Sequence, residues 1–593
     1  MNNMITVKFP NLGKHIEIED GAKITEACAM VGEPLNQVCG GKGKCGKCAV
    51  DIKRDGNLET VIGCQTKVFD GLEIMITGQE TTAQILTSNM IKDIQHNPSL
   101  RIVHVKKEEL KTPLGENDWE TLSRVLKINL CKPTLDILKK LSNTFHDPEG
   151  INIILYDNTI LNITSGDKDT KLYGLAFDVG STSVVGYLYD MNTYKQIGIS
   201  SMLNKQTSIG GDVISRIEYT INNTNGLKRL NDLVIETINE IIEDICKKHD
   251  IDKNDIYQGT FCGNSTMQHL FLGLNPAHLG LAPFSSTTHD IVYTTGKDAR
   301  VKINPLGMVT FFPLLGGHVG GDTSAVILSV QNDDKYRLII DLGTNGEVAV
   351  GKNYTFKVSS MASGPALEGY GLEFGMRGTI GAIERVSILN GDLYYKVIGK
   401  VKPRGICGSG IIDLLADLLR YNLINTKGVF AKPSEVDSPN LARRLITVDN
   451  AKVFVIAHEN ETENGKAILL TQKDIRQIQL AIAAIYTGCN MLIAESGLKG
   501  EELEEILMAG AFGNYIDIEK AQYIGMIPYF KGVPVYSIGN AAATGSQLFL
   551  LSKEDKEECE KIAENAIHVE IATNPNFTDN FIQNVYLNKV ERY

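Results

Sequence analysis

Apolar and polar positions alternate from the first strand-like segment onward, and the period changes several times along the 593 residues. ITVKFPN (5–11) and KHIEIED (14–20) carry a period of two, which predicts a hairpin with one buried face. ITEACAMVG (24–32) reads as a short helix and LEIMIT (72–77) as a closing strand. Residues 81–100, opening with TTAQILTSNM, are polar and weakly periodic, so they read as a linker that lets the first domain swing. RIVHVKKEEL (101–110) then reads as a strand, DWETLSRVLKI (118–128) and PTLDILKKLSN (133–143) as helices, and INIILYDNTILNIT (151–164) as a hairpin. This 101–171 segment carries no motif and reads as a scaffold or docking module.

The pattern changes at residue 172. LYGLAFDVGSTSVVGYLYD (172–190) is an apolar strand, an Asp-x-Gly turn with hydroxyls, and a second apolar strand. The same design returns as YRLIIDLGTNGEVAVG (336–351). A repeat of this kind predicts two similar subdomains, 172–335 and 336–593, facing each other. Each turn offers N–H groups and hydroxyls to phosphate oxygens, and each aspartate can hold a hydrated Mg²⁺, so the pair reads as a nucleotide clamp. One such hairpin alone is weak evidence, because Asp-Gly turns are common. ILMAGAFGNYID (506–517) adds a strand running into small residues that allow a flat base and ribose close approach, and VYSIGNAAATGSQLFL (535–550) a strand, turn and helix. HVGGDTSAVILSV (318–330) and PRGICGSGIIDLLADLL (403–419) read as glycine turns opening helices. The apolar run 480–494 is short and interrupted. It reads as a buried helix, with no stretch approaching the length of a membrane span.

Composition narrows the class. The length predicts three or four domains. The net charge of −12 discounts nucleic acid as a partner. The chain opens directly on strand-like sequence, so no signal peptide is expected. Of eleven cysteines, seven are scattered (28, 131, 246, 262, 407, 489 and 559), which suits a reducing cytoplasm. The other four, Cys39, Cys45, Cys48 and Cys64, are not scattered. CGGKGKCGKC crowds three thiols into ten residues on a loop rich in glycine and lysine. This suits four thiolates round a [2Fe–2S] cluster, with glycines letting backbone N–H groups reach the sulfurs. The spacing C-x5-C-x2-C is one residue longer in its first gap than the plant-type pattern. A structural zinc site is the competing reading, although zinc ribbons favour two separated C-x2-C knuckles and one is present. The flanking elements follow a β-grasp order, so residues 1–80 read as a ferredoxin-like electron-transfer domain. Cys28, on the helical stretch, reads as core.

The paired DVGSTS and DLGTNGE hairpins and the AGAFG turn resemble the acetate and sugar kinase/Hsc70/actin (ASKHA) superfamily. With the N-terminal cysteines, the whole chain resembles the RACo-type reductive activators of corrinoid proteins. Beyond the clamp, NKQTSIGGDVISRI (204–217), GNSTMQHLFLGLNPAHLGLAPF (263–284), GGHVGGDTSA (316–325), ASGPALEGYGLEFGMRGTIGAIERV (362–386) and PRGICGSG (403–410) carry the likeness. The implied fold is multidomain, α+β and α/β: a β-grasp [2Fe–2S] domain, a small α/β middle domain and an actin-like ASKHA ATPase of two duplicated subdomains. The implied function is ATP-dependent, one-electron reduction of a partner protein's Co(II) corrinoid to Co(I), in support of a methyltransferase system. Plant-type clusters sit near about −400 mV and the cobalt acceptor is harder to reduce. Each ~59 mV of uphill gap costs a factor of ten, which is the physical need for ATP. An upstream electron donor and a homodimer are also implied, with no membrane partner.

On this reading Asp178 leads the Mg²⁺ shell, with Gly180, Ser181, Thr182 and Ser183 on phosphate; Asp341, Gly343, Thr344 and Asn345 form the second clamp. Gly510, Ala511 and Gly513 face the base and ribose. Asp322 orients the attacking water or caps a helix. Glu347 lies near the second turn, where strand alternation accounts for it equally well. Asp212 reads as a helix cap. Arg216 and Arg377 read as phosphate or partner contacts, or as surface ion pairs. Cys407, His269 and His318 read as structural. Two other functions compete: a small-molecule kinase with a fused redox-sensing ferredoxin domain, and a non-enzymatic ATP-gated binding module.

Overall fold

The computed structural model describes residues 4–590 except 32, 34, 36–47, 55–56, 76–91, 94, 168, 344–345, 370, 514 and 589. In the N-terminal domain β1 (Met4–Phe9) pairs antiparallel with β2 (Lys14–Glu19), and the helix Ile24–Met30 follows. β3 (Ala49–Arg54), β4 (Asn57–Ile62) and β5 (Glu73–Met75) complete a sheet ordered β2-β1-β5-β3-β4, with β5 parallel to β1. Alternation places Ile5, Val7 and Phe9 on the core face, against Ile24, Cys28, Ile52 and Ile74. Each fully buried aliphatic or aromatic side chain there stabilises by about 1.5–3 kcal/mol. Cys28 is core, as expected.

β6 (Leu100–Val105), β7 (Ile151–Tyr156) and β8 (Thr159–Ser165) form an antiparallel sheet. Helices Asp118–Leu126 and Leu135–Thr144 pack against it through Leu122, Ile137, Leu141 and Phe145. Asn117 and Thr134 cap these helices. The stretch expected to be a linker up to residue 100 is held from Lys92 onward. The N–H of Lys92 bonds Ser329 O at 3.0 Å, its ammonium pairs with Asp555 and Glu558, and Asn97 bridges to Ser552. The earlier part of that stretch lies outside the described residues.

The two large sheets show why the DVGSTS and DLGTNGE segments look alike. β9 (Tyr173–Val179), β10 (Ser183–Asp190) and β11 (Lys195–Leu203) form an antiparallel meander. β12 (Ile256–Cys262) lies parallel to β9, with β13 (Val292–Thr295) and β14 (Met308–Phe311) beyond, giving the order β11-β10-β9-β12-β14-β13. The second half starts with the meander β15 (Arg337–Leu342), β16 (Gly346–Lys352) and β17 (Thr355–Met361). Two small sheets follow: β18 (Ala382–Leu389), β19 (Asp392–Val397) and β20 (Gly405–Ile406), then β21 (Leu445–Val448), β22 (Ala451–Ala457) and β23 (Ile468–Thr471). The chain returns through β24 (Glu505–Ala509), parallel to β15, then β25 (Val535–Gly539) and β26 (Ile567–His568), in the order β25-β24-β15-β16-β17-β26. Reversed, the core of this order repeats the first sheet: a three-strand meander with two parallel strands added at its first strand.

Matching helices complete the duplication. The 24-residue helices Gly226–His249 and Gln472–Glu495 each carry the chain into the parallel strand. Gln472–Glu495 is longer than the 480–494 run, and with a mean hydropathy of 1.4 it is long and apolar enough to span a membrane by length and composition. That corrects the expectation that no stretch approaches such length. Its reading as a core helix stands, since 72% of its apolar window is buried. One helix from each half, Gly321–Ser329 and Ala541–Leu551, packs against the other between the sheets. A Cβ at Gly545 would lie 2.0 Å from Ala325 O, so only glycine allows this approach. Ala541–Leu551 also bonds back to the first sheet, with Thr260 Oγ1 donating to Ser546 O at 3.1 Å. The shared core joins Cys262, Phe312 and Ala325 of one half to Ile339, Leu507 and Phe549 of the other.

Candidate functional site

Each meander carries an aspartate one residue before the end of its first strand. Asp178 lies in β9 beside Cys262 of β12, and Asp341 lies in β15 beside Glu347 of β16 and Ala509 of β24. Asp322 stands in the first turn of Gly321–Ser329, brought in because the N–H groups of Gly321 and Asp322 both donate to Gly263 O, at 2.9 and 3.3 Å. The four carboxylates share one cleft. Burial is the main cause that raises each pKa; repulsion from neighbouring carboxylates adds to it at Asp322, Asp341 and Glu347, whereas the hydrogen bond from Asn540 offsets it at Asp178. Asp322 is pushed up to about 6 by burial and by Asp178. Asp341 is pushed up to about 7 by burial, Asp322 and Asp178. Glu347, 8% exposed, is raised well above its usual value by burial, Asp322 and Asp341. Alternation therefore places Glu347 inside the site rather than explaining it away.

Asp322 does not cap its helix. Gly320 occupies that position, and Asp322 Oδ1 accepts from Thr323 N at 2.8 Å. The buried Thr323 hydroxyl has no protein partner among the described residues, an unmet polar group suited to a bound ligand. Asp178 Oδ2 accepts from Asn540 Nδ2 at 3.1 Å, while Asn540 Oδ1 caps Ala541–Leu551. Asn540 thus ties the first-half aspartate to the second-half helix, a link that the sequence reading missed.

The first turn is closed by Gly180 N donating to Ser183 O at 3.0 Å. Ser181 Oγ accepts from Asn264 Nδ2 at 2.9 Å, Thr182 O accepts from Asn204 N at 2.8 Å, and Ser183 is exposed. Gly343 is exposed at the second turn; Thr344 and Asn345 lie outside the described residues. Ala511 sits in the short helix Gly510–Gly513 that follows β24, and Gly513 is buried. Gly510 has φ +87°, and a Cβ there would lie 2.7 Å from Asp341 Oδ1. Its smallness is thus demanded by Asp341 itself, a role that sequence reading gave to the base. Among the described residues no three His, Cys, Asp or Glu side chains stand close enough to hold one ion directly.

Arg216 is fully buried and bonds Ser181 O, Gly210 O and Gln206 Oε1, which corrects the readings of it as a surface ion pair or a partner contact. Asp212 caps its helix, as expected, accepting from Ser215 N at 2.8 Å. His269 is satisfied at both ring nitrogens, by Ser265 O at 2.7 Å and Thr287 N at 3.0 Å. Cys407 is buried, with its thiol 3.4 Å from Ile383 O.

Cys48 and Cys64 lie side by side at the edge of the N-terminal core, 1% and 4% exposed. Cys64 N donates to Cys48 Sγ at 3.4 Å, and Gln65 Nε2 donates to Cys64 Sγ at 3.4 Å. Donors aimed at buried sulfurs stabilise negative charge there, which fits thiolate ligands of an iron–sulfur cluster. Cys39 and Cys45 lie outside the described residues.

Residues 335–592 match the family described as the C-terminal domain of RACo, the ASKHA domain, and residues 173–335 match the RACo middle region. The corrinoid activation enzyme RamQ of Eubacterium limosum is 47% identical over 582 residues, covering 98% of each chain. The Co(II) methylated amine-specific corrinoid protein reductase of Methanosarcina barkeri is 26% identical over 446 residues, 69% of this chain and 76% of the relative. A solved structure, a reductive activator for corrinoid, iron-sulfur protein, is 31% identical with a TM-score of 0.75 and covers 99% of each chain. With its duplicated sheets, carboxylate cleft and end-to-end similarity to these proteins, the chain belongs to the RACo family of reductive activators of corrinoid proteins.

Proposed function

We propose that this chain is an ATP-dependent reductase that returns the corrinoid of a partner protein from Co(II) to Co(I), one electron at a time. The observation that carries the reading is the union, in one chain, of a hydrogen-bonded buried cysteine pair and a carboxylate cleft between two like-built sheets. Family membership weighs for it against a small-molecule kinase.

Cys39, Cys45, Cys48 and Cys64 would hold a [2Fe–2S] cluster, which supplies one-electron chemistry when bound. The Cys64 N–H and the Gln65 amide stabilise charge on the sulfurs, and burial of Cys48 and Cys64 keeps water away. In the cleft, Asp178 and Asp341 would hold hydrated Mg²⁺ through its waters. The turns at Gly180–Ser183 and Gly343–Asn345 would take the phosphates, and Ala511 and Gly513 the base side. Asp322, with a pKa of about 6, accepts the proton of the water that attacks the terminal phosphate. Nucleotide held by both halves draws them together across the packed helices Gly321–Ser329 and Ala541–Leu551. That motion reaches the cysteine domain, because Glu33 beside it pairs with Lys396 and Lys400 of the second half, at 3.1 and 3.5 Å.

We place the protein in the cytoplasm, as a homodimer served by an upstream electron donor; the free cysteines of the described residues are consistent with a reducing compartment. The test is anaerobic. Reduced protein with Mg²⁺ and ATP should convert a Co(II) corrinoid protein to Co(I), read by its visible spectrum. Conversion that runs equally well without nucleotide sinks the ATP-dependent reading.

A further inference from the structure

Arg216 heads the fully buried side chains of the described residues by volume, and it is a cation. Its Nε donates to Gly210 O at 2.9 Å, Nη1 to Gln206 Oε1 at 2.9 Å and to Met267 Sδ at 3.4 Å, and Nη2 to Ser181 O at 2.5 Å. Every one of these acceptors is neutral. Among the described residues no carboxylate lies within ion-pair distance of it. Asp212 is the acid whose charge it feels, and that carboxylate is engaged in capping the helix Val213–Asn222. A buried charge without a counter-ion is costly, and apolar residues of similar volume fill such space more cheaply. Arg216 therefore has an unmatched charge that an arriving anion can match.

The position says which anion. Ser181, whose carbonyl Arg216 holds, is in the middle of the turn closed by Gly180 and Ser183. The Ser181 hydroxyl is bonded to Asn264, and the neighbouring Gly263 carbonyl holds the N–H groups of Gly321 and Asp322. One buried cation thus backs the first turn and, through two further bonds, the start of the helix that carries Asp322. In a low-dielectric setting its charge reaches beyond its hydrogen-bond partners.

We propose that Arg216 is a positioning residue for the nucleotide phosphates: it fixes the Gly180–Ser183 turn and supplies the buried positive charge that the bound phosphates complete. The inference rests on reading the cleft as a nucleotide site. A merely structural arginine would be missed equally by every nucleotide; a phosphate partner is missed more as phosphates are added.

The test is calorimetric titration of ATP, ADP and AMP, with Mg²⁺, into the full-length protein and its Arg216→Met and Arg216→Lys variants. Expected for Arg216→Met is at least a tenfold loss for ATP, a smaller loss for ADP and under threefold for AMP. Arg216→Lys, which keeps the charge, should hold ATP within threefold of wild type. An equal loss for all three nucleotides, or none for ATP, overturns the proposal. If Arg216→Met does not fold, Arg216→Lys decides: near-normal ATP affinity supports the proposal, and equal weakening of ATP and AMP overturns it. A wild-type protein that binds none of the three defeats the nucleotide reading itself, a distinct result.

Discussion

Asp341 and Glu347 face each other across the β15–β16 ladder, and Asp322 raises the pKa of both. A dication favours their ionised forms, so Mg²⁺-nucleotide binding should release protons between about pH 6 and 7, where Asp322 and Asp341 titrate. Calorimetry in buffers of different ionisation enthalpy measures this release; binding with no net proton exchange at pH 6.5 contradicts it. The same shifts set a sign for stability. Folding raises the Asp341 pKa from 3.8 to about 7, so its contribution is full below the unfolded value and is lost as pH rises through 7. Asp341→Asn should therefore melt higher than wild type at pH 8, with no such gain at pH 4, while Mg²⁺-dependent ATP binding is lost. A Cys48→Ser variant should lose the visible absorption of a cluster yet bind ATP as wild type does. Asp178 and Asp341 were legible in the sequence because their hairpins repeat. Asn540 was not, since the partner that defines it lies 362 positions away and no local pattern links them; Arg216 was singled out, but its burial was not legible, because Ser181, which it holds, lies 35 positions away.

Among the elements, those with a clear period were read well, from the β1–β2 hairpin to the helices over β7 and β8. The β3–β4 hairpin was not read: β4 is mostly exposed, so its sequence lacks the alternation that a buried face imposes. Buried charge was equally invisible. Lys520, 4% exposed, donates to Val386 O at 2.8 Å and Asp417 Oδ2 at 3.2 Å, and lies 3.8 Å from Asp413 Oδ1. It ties the helices Ile518–Tyr523 and Gly408–Arg420 to β18. Removing one partner of a buried ion pair costs about 3–5 kcal/mol, so Lys520→Met should lower denaturant stability by that order. A loss under 1 kcal/mol would show that the network is better solvated than its burial implies. The helix contact at Gly545 is stricter still. Gly545→Val drives side-chain carbons into the Ala325 carbonyl, and overpacking of this kind costs about 1–3 kcal/mol or more. Its melting temperature should fall, and an unchanged value would mean that the halves can separate at no cost.

At the scale of the molecule, the duplication was legible but the interlocking was not. The sequence marks the two hairpins, whereas the seating of Ala541–Leu551 on the first sheet depends on packing between distant segments. The cysteine domain is held more lightly. Lys396 and Lys400 are 36% and 59% exposed where they meet the 13%-exposed Glu33, and ion pairs with a solvent-exposed member contribute about 0–1 kcal/mol. Such docking permits departure toward a partner. Glu33→Lys should enlarge the radius of gyration in small-angle scattering at low salt; an unchanged radius means that other contacts hold the domain. The most direct measurement is a spectroscopic one: reduced wild-type protein, its Cys48→Ser and its Asp178→Asn forms, each mixed anaerobically with a Co(II) corrinoid protein, Mg²⁺ and ATP. Wild type alone should give the Co(I) spectrum. A Co(I) spectrum from either variant at the wild-type rate contradicts the account.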